Sequence, residues 1–302
     1  MNKLSLFPKI FVVLLLDTNP FQMKRVSYGI VIFSFLLWGQ LSAQEKSTQA
    51  DFRYGKYLNV AALLDYQSSR DFGVSPLVYR GFHYGGMVEL GFEGPRWDIS
   101  VDGGLGVGES SVTKVAIFTS ESTVFYYNAR FLRRIWEKDE GKLDFRAGLH
   151  LGGYAAQRVT PAFLNASLVW ESINTLFATG KVNWRISHEQ SAGKFLFIRQ
   201  REGLRHIKLS SQLSLPLLNS VWRPDYAYID DFSDGDADVF ANNKLNFGGL
   251  RLQWRTDAYY YLLNGNALRL TYLWDAQRSA NAINRLELGH HQMILGIMIR
   301  LN

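Results

Sequence analysis

Charged side chains sit inside alternating patterns along this chain, and their placement limits the chemistry open to them. Asp65, Glu89, Asp98 and Asp102 occupy the first part. Arg130, Arg134, Arg146, Lys181, Arg185, Lys208, Arg251, Arg255 and Arg269 follow, with Asp144, Asp257 and Asp275 as acidic exceptions. In a narrow interior such groups pair with one another, because a buried charge without a partner is costly. In a wide, wet interior the same basic wall would draw small anions. A second set, Asp65, His83, Asp275 and His290, contains the Asp–His pairing that can activate a water molecule. No serine in a recognisable nucleophile context accompanies it. The third set is the acidic run Asp230–Asp238, in which Asp234, Asp236 and Asp238 alternate as calcium-type oxygen ligands. The Gly and distal Glu of a calcium loop are missing, so a solvated surface loop is the competing reading.

The elements that carry these residues read as β-strands. In Gly81–Gly108, Phe82, Tyr84, Val88, Leu90 and Phe92 share one face, opposite His83, Met87, Glu89 and several glycines. After the turn Glu93-Gly94-Pro95-Arg96 the alternation resumes, with Trp97, Ile99, Val101, Leu105 and Val107 against Asp98, Ser100, Asp102, Gly104 and Gly106. That is two antiparallel strands with one apolar and one polar face. The period of two recurs over 56–66, 123–136, 142–154, 178–188, 204–215, 245–257, 267–275 and 286–301, giving about ten strands, with eight to twelve as bounds. Connections alternate long (67–80, 109–122, 155–175, 216–244) and short (93–96, 137–141, 258–266), with 276–285 moderately long and 189–203 intermediate, the poorest fit to the pattern. Aromatic residues gather near one set of strand ends (Phe92, Trp97, Trp184, Tyr260) and near the other (Tyr66, Phe82, Tyr84, Phe125, Trp274). The pattern predicts an all-β fold, a closed antiparallel transmembrane barrel with apolar residues facing lipid and the charged set facing the lumen.

The N-terminal stretch has the grammar of export. Met23-Lys24-Arg25 precedes the apolar run Val26–Trp38 and then Gly39-Gln40-Leu41-Ser42-Ala43, so residues 1–43 read as a signal peptide, with Met23 an alternative start. Residues 44–55 then form a short periplasmic segment and 56–302 the barrel. Removing 1–43 takes away four basic residues and Asp17, lowering the formal charge from +6 to +3. That weakens a nucleic-acid role resting on a pI near 9.4. The chain has no cysteine, which excludes disulfides and thiolate chemistry.

Signal peptide, alternating strands, sorted loops and the final strand HHQMILGIMIRLN together resemble the outer-membrane β-barrel proteins of Gram-negative bacteria over roughly 56–302. The resemblance implies an outer-membrane location with both termini periplasmic, contacts with outer-membrane lipid and the barrel-insertion machinery, and external loops that can meet a protein or small solute. A filled, charge-paired lumen in a structural or partner-binding barrel is the leading expectation, without enzymatic activity or a cofactor other than calcium at Asp234, Asp236 and Asp238. An anion-leaning channel is the alternative, and a rim hydrolase of omptin type the second. The residues name no substrate.

Overall fold

The computed structural model describes residues 54–112, 115–162, 168–190, 193–195, 198–200, 202–224, 243–280 and 284–301. Thirteen strands occur among them: β1 (Gly55–Asp71), β2 (Ser75–Glu93), β3 (Trp97–Val112), β4 (Val115–Lys138), β5 (Leu143–Val159), β6 (Leu168–Gln190), β7 (Gly193–Phe195), β8 (Ile198–Gln200), β9 (Gly203–Pro224), β10 (Asn243–Phe247), β11 (Leu250–Tyr261), β12 (Ala267–Arg278) and β13 (Leu286–Leu301). Ten of them pair antiparallel in the ring β1-β2-β3-β4-β5-β6-β9-β11-β12-β13, and β13 returns to β1. The chain is all-β and closes on itself as a barrel. Among the described residues β10 lies outside the ring and pairs only with β9, while β7 and β8 form a separate small hairpin.

The pairings fix the barrel's dimensions. One row of partners runs Gly55, Glu93, Asp98, Leu132, Gly148, Thr179, Ser214, Gln253, Asp275, His290 and back to β1 at Gln67. The circuit therefore closes twelve residues further along β1 than it began. Ten strands with that stagger tilt by about 40° and enclose a backbone cylinder about 20 Å across, a space that inward side chains can fill.

Burial is inverted relative to a water-soluble domain. Phe82, Tyr84, Val88, Leu90, Ile99, Val101, Leu149, Leu270 and Leu295 are exposed, whereas Asp65, Glu89, Asp102, Arg146, Lys208, Arg255 and Asp257 are buried. The apolar outward face recurs on every strand of the ring and ends in rings of aromatics. Phe92 and Phe82 mark its two limits on β2; ten residues at ~3.3 Å each, tilted by ~40°, put them about 25 Å apart along the axis. That matches the height of a barrel's lipid-facing band.

The strands run further than the hydrophobic alternation predicts, and the loop pattern is corrected accordingly. β1 and β2 extend through the expected 67–80 loop and turn over Phe72–Val74. β3 and β4 remain paired as far as Val112 and Val115, and β6 already begins at Leu168. Loop length is therefore not sorted by parity at the first hairpin. The tight turn between β4 and β5 uses Asp139, Glu140 and Gly141 at φ of 53°, 52° and 88°, the left-handed region that reverses a hairpin.

Candidate functional site

The inward faces stack polar and apolar layers along the axis. At the end of the barrel where β1 starts and β13 finishes, Glu93 is the hub. It accepts hydrogen bonds from Lys208 Nζ at 2.5 Å and Arg185 Nη2 at 2.8 Å, with Arg146 Nη2 at 3.6 Å. β2 and β9 stand five places apart in the ring of ten, so Glu93 and Lys208 meet across the full diameter. Asp144 binds Arg146 Nε at 3.0 Å, Asn183 Nδ2 at 2.7 Å and Arg185 Nη1, and Lys181 donates to Asp98 at 2.8 Å. Arg134 stands at the margin, paired with Glu137 and donating to the Tyr54 hydroxyl at 3.1 Å.

The next layer balances three carboxylates with three guanidinium groups. Glu89 takes Arg269 Nη1 at 2.6 Å, Arg130 Nη2 at 3.2 Å and Arg255 Nη2 at 3.4 Å. Asp102 takes Arg130 Nη2 and, at 2.6 Å, Asn128 Nδ2. Asp257 takes Arg255 Nε at 3.1 Å, Arg269 Nε at 3.0 Å and the Thr271 hydroxyl at 2.5 Å. The Tyr57 hydroxyl completes Glu89 at 3.0 Å. Its ring occupies the space over Gly91, where a Cβ would come within 2.2 Å of the ring carbon Cζ. Gly91 therefore serves the site: any side chain there would displace the tyrosine.

Towards the other end, Asp275 binds Arg251 through Nε at 3.0 Å and Nη2 at 2.7 Å, the fork geometry of a bidentate pair. Asp65 accepts from the Tyr126 hydroxyl at 2.5 Å and pairs with His290 Nδ1 at 2.9 Å, while His83 Nε2 and Ser122 Oγ are 2.5 Å apart. Leu63, Met87, Val124, Ile173, Val221, Leu286, Leu288 and Ile294 pack around this level. A last layer joins Asp71 to Arg158 at 3.0 Å and Arg223 at 2.6 Å, and Glu171 to Arg158 at 2.9 Å.

Each charged residue singled out in the sequence within the described strands lies on the inward face, and of the cations Arg130, Arg146 and Arg251 it is Arg130 that pairs with Glu89 and Asp102. The pairs are stacked in layers, in which carboxylates of β2 and β3 meet cations of β4, β6, β9, β11 and β12. Arg130 reaches both Glu89 and Asp102, whereas Arg146 joins Asp144 and Glu93, and Arg251 joins Asp275. Asp65 is held by a histidine and a tyrosine. Asp65, His83, Asp275 and His290, the set with the Asp–His pairing, are all buried. The layer of Asp71, Arg158, Glu171 and Arg223 is missed by sequence reading, which placed all four in loops; continued parity along β1 and β5 was the available signal. Asp234, Asp236 and Asp238 lie outside the described residues.

No protein-family model and no curated protein matches this chain. Among solved structures it is similar to the outer membrane protease OmpT from Escherichia coli, at 8% identity over 85% of this chain and 99% of that one, with a TM-score of 0.47. It is also similar to the transport unit of the autotransporter AIDA-I from Escherichia coli, at 8% identity over 86% and 94%, with a TM-score of 0.44. The translocator domain of the autotransporter NalP from Neisseria meningitidis gives 13% identity over 92% and 98%, with a TM-score of 0.37. These neighbours are β-barrels of the outer membrane. The barrel of the present chain stands on its own strand pairings. Its interior is cross-linked at successive levels by the ion pairs described above.

Proposed function

We propose that this protein is an outer-membrane β-barrel whose lumen is closed by its own ion-pair layers, and that it acts as a structural or partner-binding membrane protein through its outward hairpins. One observation carries the reading: Glu93 on β2 and Lys208 on β9 meet at 2.5 Å across the diameter, backed by the Glu89 layer next to them. A wall whose opposite sides are bonded together narrows the space left for an aqueous column between them. The exposed apolar band supports lipid as the surrounding solvent, since a patch of that extent in water would aggregate. In this reading both chain ends are periplasmic, the β1–β2 and β3–β4 hairpins are external, and assembly passes through the barrel-insertion machinery. Heat-modifiable migration tests it: the mature chain extracted from membranes should run faster folded than boiled, and a mature chain soluble without detergent would contradict it.

An anion-leaning channel is the second reading. It draws on the Glu93 layer, where Arg146, Lys181, Arg185 and Lys208 outnumber Glu93, Asp98 and Asp144 by one charge, but it requires the cross-lumen pairs to part. A hydrolytic role finds less support, because Asp65 is buried and already bonded to Tyr126 and His290.

A further inference from the structure

Four arginines stand together on the outer surface just beyond one aromatic ring of the apolar band. Arg70 is on β1, Arg80 on β2 and Arg278 on β12, with Arg285 leading into β13. Along the strands, Arg70 lies four residues past Tyr66, Arg80 two past Phe82 and Arg278 four past Trp274. At about 2.5 Å of axial rise per tilted residue, these guanidinium groups sit roughly 5–10 Å beyond the aromatics. That is the depth of the headgroup layer outside a hydrocarbon core.

The strands carrying them are consecutive in the ring, so the patch is continuous. Ser68, two residues before Arg70, faces both Arg80 and Gly289, and Arg70 faces Glu287, which in turn faces Arg278. The groups are poised and not consumed. Arg70 Nε donates to the Pro76 carbonyl at 2.9 Å, and its guanidinium lies 4.4 Å from the Phe72 ring centre, whose other neighbour is Arg285 at 4.2 Å. Among the described residues Glu287 is the one carboxylate within the patch, 3.1 Å from Arg285 and 3.9 Å from Arg278. Arg278 keeps 62% of its side chain exposed, and Arg80 is exposed. Among the described residues, four cations against one anion leave the patch a net charge of +3. On the next strands the sign reverses, since Glu109 of β3 faces Glu121 of β4. The basic character thus ends at β3 on that side of the patch.

We infer that Arg70, Arg80, Arg278 and Arg285 form a binding site for the phosphorylated headgroup of a membrane lipid, whose acyl chains lie along the apolar face of β12, β13, β1 and β2. Planar guanidinium groups match phosphate oxygens, and the Tyr66, Phe82 and Trp274 rings below them seat the interfacial part of such a lipid. Continuity between the patch and the apolar band selects a lipid over a free anion. The inference rests on the outer-membrane reading above.

The test uses the full mature barrel in nanodiscs of phosphatidylcholine doped with phosphatidic acid, with native mass spectrometry counting the lipids each protein retains. The wild type should retain phosphatidic acid preferentially. Arg80→Gln alone should lower that preference about fivefold, and adding Arg278→Gln should lower it by a similar factor again, with phosphatidylcholine retention unchanged. Arg133→Gln, at the opposite end, serves as the control and should change nothing. Equal retention by wild type and the Arg80/Arg278 variant would overturn the inference. Full displacement of phosphatidic acid by millimolar inorganic phosphate would also overturn it, by making the patch a simple ion site. A wild type that failed to enter nanodiscs would sink the outer-membrane reading and this site with it, whereas insertion without lipid preference would sink only the site.

Discussion

Lys208 Nζ lies 2.5 Å from Glu93 Oε2, although their strands stand on opposite sides of the barrel. The contact exists because stagger and tilt bring the ends of β2 and β9 to one axial level, and because two long side chains together span the lumen. Glu93 also holds Arg185 and lies close to Arg146, so it carries more of the layer than any single cation does.

Removing the hub should cost more than removing a spoke. Glu93→Gln leaves Lys208, Arg185 and Arg146 short of a countercharge and should lower stability by about 3–5 kcal/mol. Lys208→Met leaves Glu93 with two arginine neighbours and should cost clearly less. Urea unfolding of the refolded barrel in vesicles, followed by tryptophan emission, checks the order; equal losses would show that the layer is not centred on Glu93.

Glu89 and Asp102 share Arg130, so their effects should not add. Glu89→Gln and Asp102→Asn should each lower the unfolding midpoint, and the double variant should fall short of the sum by about 0.5–3 kcal/mol. A double-mutant cycle measures this directly. Strict additivity would place the two carboxylates in separate, uncoupled sites.

Gly91→Ala should destabilise the barrel by about 1–3 kcal/mol, because the new methyl collides with the Tyr57 ring and pulls its hydroxyl from Glu89. Combining it with Tyr57→Ala should recover part of the loss by vacating the space. The gel-shift midpoint on heating reports both, and no recovery in the double variant would mean that Gly91 acts through something other than Tyr57.

Much of the architecture is legible in the residues, for a specific reason. Within the bilayer band one face of each strand is apolar and the other polar, so Phe82 to Phe92 and Trp97 to Val107 announce their strands. Beyond the band the outward face is free to be polar, and the alternation fades while the strand continues. Ser68, Ser69 and Arg70 thus look like loop although they are paired in β1, and Asp71, Arg158, Glu171 and Arg223 were missed as a group. Facing was readable for Glu89, Arg130 and Arg269 from parity alone. Their partnership was not, because it depends on the twelve-residue stagger accumulated around the ring, which no single strand records.

Asp71→Asn tests that missed layer. Arg158 and Arg223 would lose the carboxylate they share, at the end of the barrel where β1 turns into β2. Amide exchange should quicken over Ser69–Val78 while the amides flanking Glu89 keep their protection, since local opening need not reach the middle layers. Uniform loss of protection along β1 and β2 would contradict a layered interior.

Single-channel recording in planar bilayers addresses the closed lumen most directly. The wild-type barrel should insert without discrete conductance steps at neutral pH, whereas Glu93→Ala combined with Lys208→Ala, and Glu89→Ala with Arg269→Ala, should open measurable steps by removing the cross-lumen contacts. Discrete, anion-selective steps from the wild type would contradict the account and assign the protein to the channel reading.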